Sequence, residues 1–109
     1  MWFDRRFHVM IFCNNDEKFK DVLRGFQYEK LLKHRKFKYE EEYEYDFFII
    51  QRFKNMSLNH VKGHRCDLVI VDRDLLYKLG GQKEILEFIE EIECGALNVQ
   101  RFNIRIQYI

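Results

Sequence analysis

The chain has no proline and only five glycines and three cysteines among its 109 residues. Without proline there is no rigid linker, and no low-complexity segment or internal repeat interrupts the pattern. Cys13, Cys66 and Cys94 are odd in number and widely spaced, so they offer neither a disulfide framework nor a paired Cys-x-x-Cys metal motif. Cys13 and Cys66 lie on or beside expected strands and read as thiols of a reducing compartment. No apolar run approaches the ~18 residues of a membrane span. Met1-Trp2-Phe3-Asp4-Arg5-Arg6 lacks the apolar core and small-residue cleavage site of a signal peptide. The expected location is cytoplasmic, in the host cytoplasm if the chain is viral.

A large charge of one sign is also missing. The formal net charge is +1, which argues against the overall basicity of a general nucleic-acid binder. The charge is nonetheless uneven. Residues 1–38 hold ten Lys/Arg against five Asp/Glu, and residues 39–109 hold nine against thirteen, a polarity suited to docking a charged partner.

What the chain has in quantity is apolar and aromatic mass, 47% and 17%, enough to build one core and exclude disorder. The length allows a single domain over 1–109. Phe7 to Cys13 is a nearly continuous apolar run and reads as a buried strand. Asn14-Asn15-Asp16-Glu17 reads as an N-cap cluster, and Phe19, Val22, Leu23, Phe26 and Leu31 recur at helical steps, predicting a helix over about 16–34. Residues 37–50 alternate. Phe37, Tyr39, Tyr43, Tyr45, Phe47 and Ile49 lie on one face, with Lys38, Glu40, Glu42, Glu44 and Asp46 on the other, and Glu41 breaks the apolar side.

Leu68 to Val71 is short, apolar and β-branched, the signature of a strand buried on both faces. Leu75, Leu76 and Leu79 suggest a brief helical turn ended by Gly80-Gly81. Lys83 to Cys94 predicts a helix with Ile85, Phe88, Ile89 and Ile92 inward and Gly95 as its cap. Val99 to Ile109 alternates as a half-exposed strand. The order β-α-β-β-α-β predicts an α/β domain. Its mixed sheet should hold four to five strands packed against two main helices, with the alternating strands at or near the edges.

The apolar run 68–71 ends in Val71-Asp72-Arg73-Asp74. Open α/β sheets place ligands beyond the carboxyl ends of their strands. Two carboxylates one residue apart there can hold Mg2+ and orient phosphates. The competing reading is structural, with Asp72 capping the following turn and Asp74 pairing with Arg73 or Lys78. No metal is expected under that reading; if one binds, Asp72 and Asp74 are its ligands, with Asp67 in support.

Residues 48–74 carry Phe-Ile-Ile-Gln-Arg-Phe-Lys-Asn-Met-Ser-Leu, then Val-Lys-Gly-His-Arg-Cys-Asp-Leu-Val-Ile-Val-Asp-Arg-Asp. About a quarter of the chain, centred on Gly63, Arg65, Asp67 and the strand ending at Asp72, resembles the approach to the Walker B strand in P-loop ATPases of the phage large-terminase kind. The resemblance implies a phage or mobile-element source and a P-loop-like fold. It implies no ATPase activity. A phosphate-binding loop needs glycines and a lysine, whereas this chain has Cys13-Asn14-Asn15-Asp16-Glu17-Lys18, and Arg73 stands where the family has its catalytic Glu.

Lys30, Lys33, His34, Arg35, Lys36 and Lys38 form a basic cluster that can meet phosphates, with Phe37 and Tyr39 available to stack on bases. The acids of 40–46 oppose that use, and they or the Glu-rich helix can instead dock a basic partner. His60 and His64 are four apart with Cys66 and Asp67 nearby, but Gly63 interrupts any helix and no second ligand pair follows, so zinc is not expected. No residue sits in a recognisable nucleophile turn.

These observations favour a non-catalytic module, an adaptor or inhibitor with no cofactor that binds a macromolecular partner. A protein partner is favoured, nucleic acid stays open, and a second copy can join through edge strands. The candidate binding residues are Lys30, Lys33, Arg35, Lys36, Lys38, Arg65 and Arg73. The alternative is a metal-dependent phosphoryl-transfer or nuclease-type enzyme using Asp67, Asp72 and Asp74, with Mg2+ as its cofactor.

Overall fold

The strand Phe7–Phe12 (β1) buries both its faces, and that fact organises the molecule. Val9, Ile11 and the following Cys13 enter one apolar cluster, while Met10 and Phe12 enter another on the opposite side of the sheet. A strand apolar at every position has to be covered twice. In the computed structural model, which describes residues 6–25, 30–38, 40–55, 67–91 and 106–109, the covering is done by helices on both faces.

On one face lies the helix Asp16–Arg24 (α1), which contributes Phe19, Val22 and Leu23. On the other lie Arg73–Tyr77 (α2) and Gln82–Glu91 (α3), contributing Leu75, Leu76, Ile85 and Phe88, with Leu79 from the turn between them. Gly80, at φ +120°, makes the break between those two helices, a conformation that side-chain-bearing residues rarely adopt. Phe12 stacks on Phe53 at 5.3 Å and meets Phe88 edge-on at 5.4 Å, so three aromatic rings tie the sheet to α3.

Six strands are described, in the spatial order β2-β3-β4-β1-β5-β6. The remaining five strands are Lys33–Lys36 (β2), Glu40–Glu44 (β3), Phe48–Phe53 (β4), Leu68–Val71 (β5) and Ile106–Tyr108 (β6). β4, β1, β5 and β6 are parallel, and β3 and β2 continue the sheet as an antiparallel hairpin. The chain is thus a single α/β domain with a mixed sheet between helical layers. Its four parallel strands follow the doubly wound order 2-1-3-4, in which the direction of winding reverses between β1 and β5. Right-handed crossovers that run opposite ways across the sheet place α1 and the α2–α3 pair on opposite faces. Among the described residues no helix is long and apolar enough to cross a membrane.

The alternating strands do lie at the edges, but two sequence expectations are corrected. The helix expected over 16–34 ends at Arg24, and Lys33–Lys36 is a strand. Leu31 and Leu32, which prolong the helical spacing, are exposed and bury no helical face. The basic run instead pairs with the acidic one: Lys33 opposes Glu44, Arg35 opposes Glu42 and Lys36 opposes Glu41. Opposite charges across a ladder favour this pairing.

The single strand expected over 37–50 is two strands folded back on each other, joined at Asp46-Phe47, where Tyr45 N–H donates to the Phe48 carbonyl at 2.8 Å. The turn reverses the parity of the pattern. Tyr43 and Tyr45 share their face with Phe48 and Ile50, and Phe47 sits 71% exposed. This raises the strand count to six, and the turn after Asp74 proves to be a third helix. Gly95, the expected cap of the last helix, and residues 99–105 of the expected final strand lie outside the described residues.

Candidate functional site

The crevice at the winding reversal is built from two turns. After β1, Asn15 caps α1 by accepting hydrogen bonds from the backbone N–H groups of Glu17 and Lys18, at 3.0 and 3.2 Å. After β5, Asp72 caps α2 and accepts from the N–H of Asp74 at 3.1 Å. Asp72 is only 2% exposed, so its charge needs compensation.

Lys18 supplies it. One turn into α1, its Nζ donates to Asp72 Oδ1 at 2.8 Å and to the exposed Asp74 Oδ2 at 3.2 Å. Burial pushes the Asp72 carboxyl up, but the Lys18 hydrogen bond and the Asp74 N–H outweigh it and hold the group below the usual carboxylate range. The same hydrogen bonds, first to Asp72 and then to Asp74, raise Lys18 above an ordinary lysine. The Cys13 thiol donates to the Asn15 carbonyl at 3.2 Å and lies 3.7 Å from Asp72 Oδ2. Burial raises this thiol, the adjacent Asp72 charge adds to the effect, and the group stays protonated rather than nucleophilic.

Asn14, Asn15, Asp72, Asp74, Leu75 and Lys78 line a cleft of about 210 Å3. Drug-sized ligands occupy about 300–1,000 Å3, so this cleft suits an ion or a small polar group better than a nucleotide. The N–H groups of Glu17 and Lys18, which open α1, are already taken by the Asn15 side chain. The two carboxylates share an ammonium in the place a bridging cation would take. Among the described residues no three His, Cys, Asp or Glu side chains converge to form a metal shell.

Asp67 belongs elsewhere. It sits at the opposite end of β5 from Asp72, about 16 Å away along an extended strand. There its carboxylate accepts from the His8 N–H at 3.0 Å, and its own N–H donates to the His8 carbonyl at 2.8 Å. It knits β1 to β5 and is separated from the Asp72–Asp74 pair.

A second polar cluster is the one sequence reasoning missed. Arg52, 3% exposed, directs Nη1 at Glu41 Oε1 (3.2 Å), Nη2 at Asp16 Oδ1 (2.7 Å) and Nε at the Cys13 carbonyl (3.0 Å), with its guanidinium 4.4 Å from the Phe19 ring centre. Glu41, 6% exposed, also accepts from Tyr43 Oη at 2.6 Å and lies 3.1 Å from His34 Nε2 and 3.6 Å from Lys54 Nζ. Burial pushes Glu41 up, but Tyr43, His34, Arg52 and Lys54 together hold its carboxyl below the usual range. The His34 ring stacks on Tyr43 at 4.3 Å. This network fastens β2, β3, β4 and the start of α1 into one unit. The signal was present: Glu41 interrupts an apolar face, and Arg52 interrupts the apolar run Phe48–Phe53.

The basic candidates fall into separate places. Lys30 precedes β2, Lys33, Arg35 and Lys36 lie on it, and Lys38 follows it; all are exposed. Arg73 opens α2 and is exposed, with its N–H donating to the Ile109 carbonyl at 3.0 Å. Four strand spacings, roughly 19 Å, separate β5 from β2, so Arg73 does not join that patch. Arg65, His60, His64 and Cys66 lie outside the described residues.

Comparison with known proteins finds no matching family model, no matching curated protein and no matching solved structure.

Proposed function

We propose that this chain is a non-catalytic interaction module, a small phage or mobile-element adaptor or inhibitor that binds a protein partner in the cytoplasm. The observation that carries this reading is the Lys18 ammonium held between Asp72 and Asp74 at 2.8 and 3.2 Å. Phosphoryl-transfer sites of the carboxylate type keep that space for a metal. Here the charge is balanced from within, the neighbouring thiol is protonated, and the helix start is capped by a side chain.

Nucleic acid is the weaker partner. The chain's net charge is only +1, without the overall basicity of a general nucleic-acid binder.

Titration of the purified chain with Mg2+ and Mn2+, followed by thermal unfolding, tests the reading. An unchanged midpoint, together with capture of one dominant protein from the cells that make the chain, is the expected result. Stabilisation by either ion, with nuclease or ATPase turnover abolished in Asp72→Asn, overturns it in favour of metal-dependent phosphoryl transfer.

A further inference from the structure

We infer that the outer edge of β2 is the docking site for an extended acidic segment of the partner, which adds to the sheet beside Lys33–Lys36. This inference rests on the interaction-module reading and names the chemistry of the partner. β2 is terminal in the sheet order, and among the described residues no strand pairs with its outer side.

The ladder shows which groups are on offer. Phe37 N–H donates to the Glu40 carbonyl, and Arg35 and Lys33 follow at two-residue steps opposite Glu42 and Glu44. Antiparallel pairs alternate between bonded and non-bonded, so Lys33 and Arg35 direct their backbone groups at β3. The N–H and C=O of His34 and Lys36 therefore point outward. The close stacking of His34 on Tyr43 fits a non-bonded pair, in which side chains approach most closely.

Charge selects the occupant. Successive side chains of a strand alternate faces, which puts Lys33 and Arg35 on one face of the sheet and His34 and Lys36 on the other. All four are exposed, and Lys30, Lys33 and Lys36 make no ion pair among the described residues. A second copy adding through the same edge would set cations opposite cations, which disfavours self-pairing. A phosphate backbone follows one surface and meets the cations of only one face. An acidic strand presents carboxylates on both faces at the same two-residue period. The molecule already contains such a pairing. On its inner side β2 accepts β3, Glu-Glu-Glu-Tyr-Glu, with Arg35 3.7 Å from Glu42 and His34 3.1 Å from Glu41. Strand addition of this type draws affinity from main-chain hydrogen bonds and specificity from alternating side chains.

The test uses a fluorescent peptide with the sequence of residues 40–46, titrated into the full chain and followed by anisotropy. Saturable binding should weaken at least ten-fold in K33Q/K36Q and stay unchanged in K20Q/K83Q, which removes two exposed cations elsewhere. The same peptide N-methylated at alternate residues keeps its charge but cannot pair as a strand, and should not bind. Equal binding of the methylated peptide, or β2-dependent binding of a single-stranded oligonucleotide in place of the peptide, overturns the inference. If the peptide fails while the chain still captures a protein partner, this inference falls and the module reading stands. Stabilisation by Mg2+ with nuclease or ATPase turnover that Asp72→Asn abolishes removes the module reading itself.

Discussion

Arg52 and Glu41, paired across β4 and β3 at 3.2 Å, are both almost wholly buried, and each helps to offset the other's charge. Glu41 has further partners in Tyr43, His34 and Lys54, and Arg52 has Asp16 and the Cys13 carbonyl. Removing one member therefore strands several polar groups at once.

Arg52→Met should destabilise the domain by roughly 3–5 kcal/mol, the cost of leaving a buried partner uncompensated. Arg52→Met combined with Glu41→Met should recover a large part of that loss, because neither charge is then buried alone. Urea unfolding of the two single variants and the double variant measures the coupling. Strict additivity would show that the pair does not act as a unit.

Acid should weaken the fold through the same carboxylate and through Asp72. Both are held below the usual carboxylate range in the folded chain, against burial, by their hydrogen bonds and neighbouring cations. A lowered folded value means that the unfolded chain binds the proton first. The stabilisation is complete above about pH 4, where unfolded carboxyls titrate, and is lost progressively as the pH falls from there through the lower folded values. Urea midpoints from pH 7 to pH 2.5 should show a plateau and then a decline. Glu41→Gln should start from lower stability and decline less steeply.

The layout of the core was largely legible because it follows from apolar periodicity. The unalternating runs 7–13 and 68–71 had to be strands covered on both faces, and they lie side by side at the centre of the sheet. The hairpin was not legible as two strands. Its turn at Asp46-Phe47 contains no glycine, and among the described residues none other than glycine adopts a positive φ, so the usual turn signal is missing. A two-residue turn also keeps the hydrophobic alternation running with only a phase change. β2 was hidden for another reason. Its four residues are all exposed, and what holds them in a strand is the acidic run opposite, a non-local partner that local spacing does not reveal. At the strand end, the capping role of Asp72 was readable, but Lys18 reaches it from 54 residues away and leaves no trace in local sequence.

Alkali should act through Tyr43. Burial, and then the Glu41 carboxylate that accepts its hydroxyl hydrogen bond, raise this phenol above an ordinary tyrosine. A raised folded value favours the neutral form in the native state. The stabilisation is present below about pH 10, where an unfolded tyrosine ionises, and declines as the pH rises beyond that. Tyr43→Phe should lose about 1 kcal/mol at neutral pH with the hydrogen bond, and its stability should fall less between pH 9 and pH 11. Unchanged alkaline slopes in the two proteins would separate Tyr43 from the effect.

Lys18→Met tests whether the ammonium stands in for a cation. The substitution keeps an unbranched stem but leaves Asp72, 3% exposed in its side chain, facing Asp74 without a counter-charge. The variant should be less stable than the wild type, and more of its loss should appear at pH 7 than at pH 3, where the carboxylates can take up protons. Mg2+ or Mn2+ should then restore stability in the variant while leaving the wild type unmoved. An ion binding at about 1 mM returns about 1.4 kcal/mol at 10 mM, a shift that thermal unfolding resolves. Equal responses in wild type and variant would mean that Lys18 does not guard the two carboxylates. No response in either would mean that the pair lacks the remaining oxygen ligands that a divalent ion needs. In that second case Asp72 is left with its capping role, and the crevice with Lys18 as a purely structural ion pair.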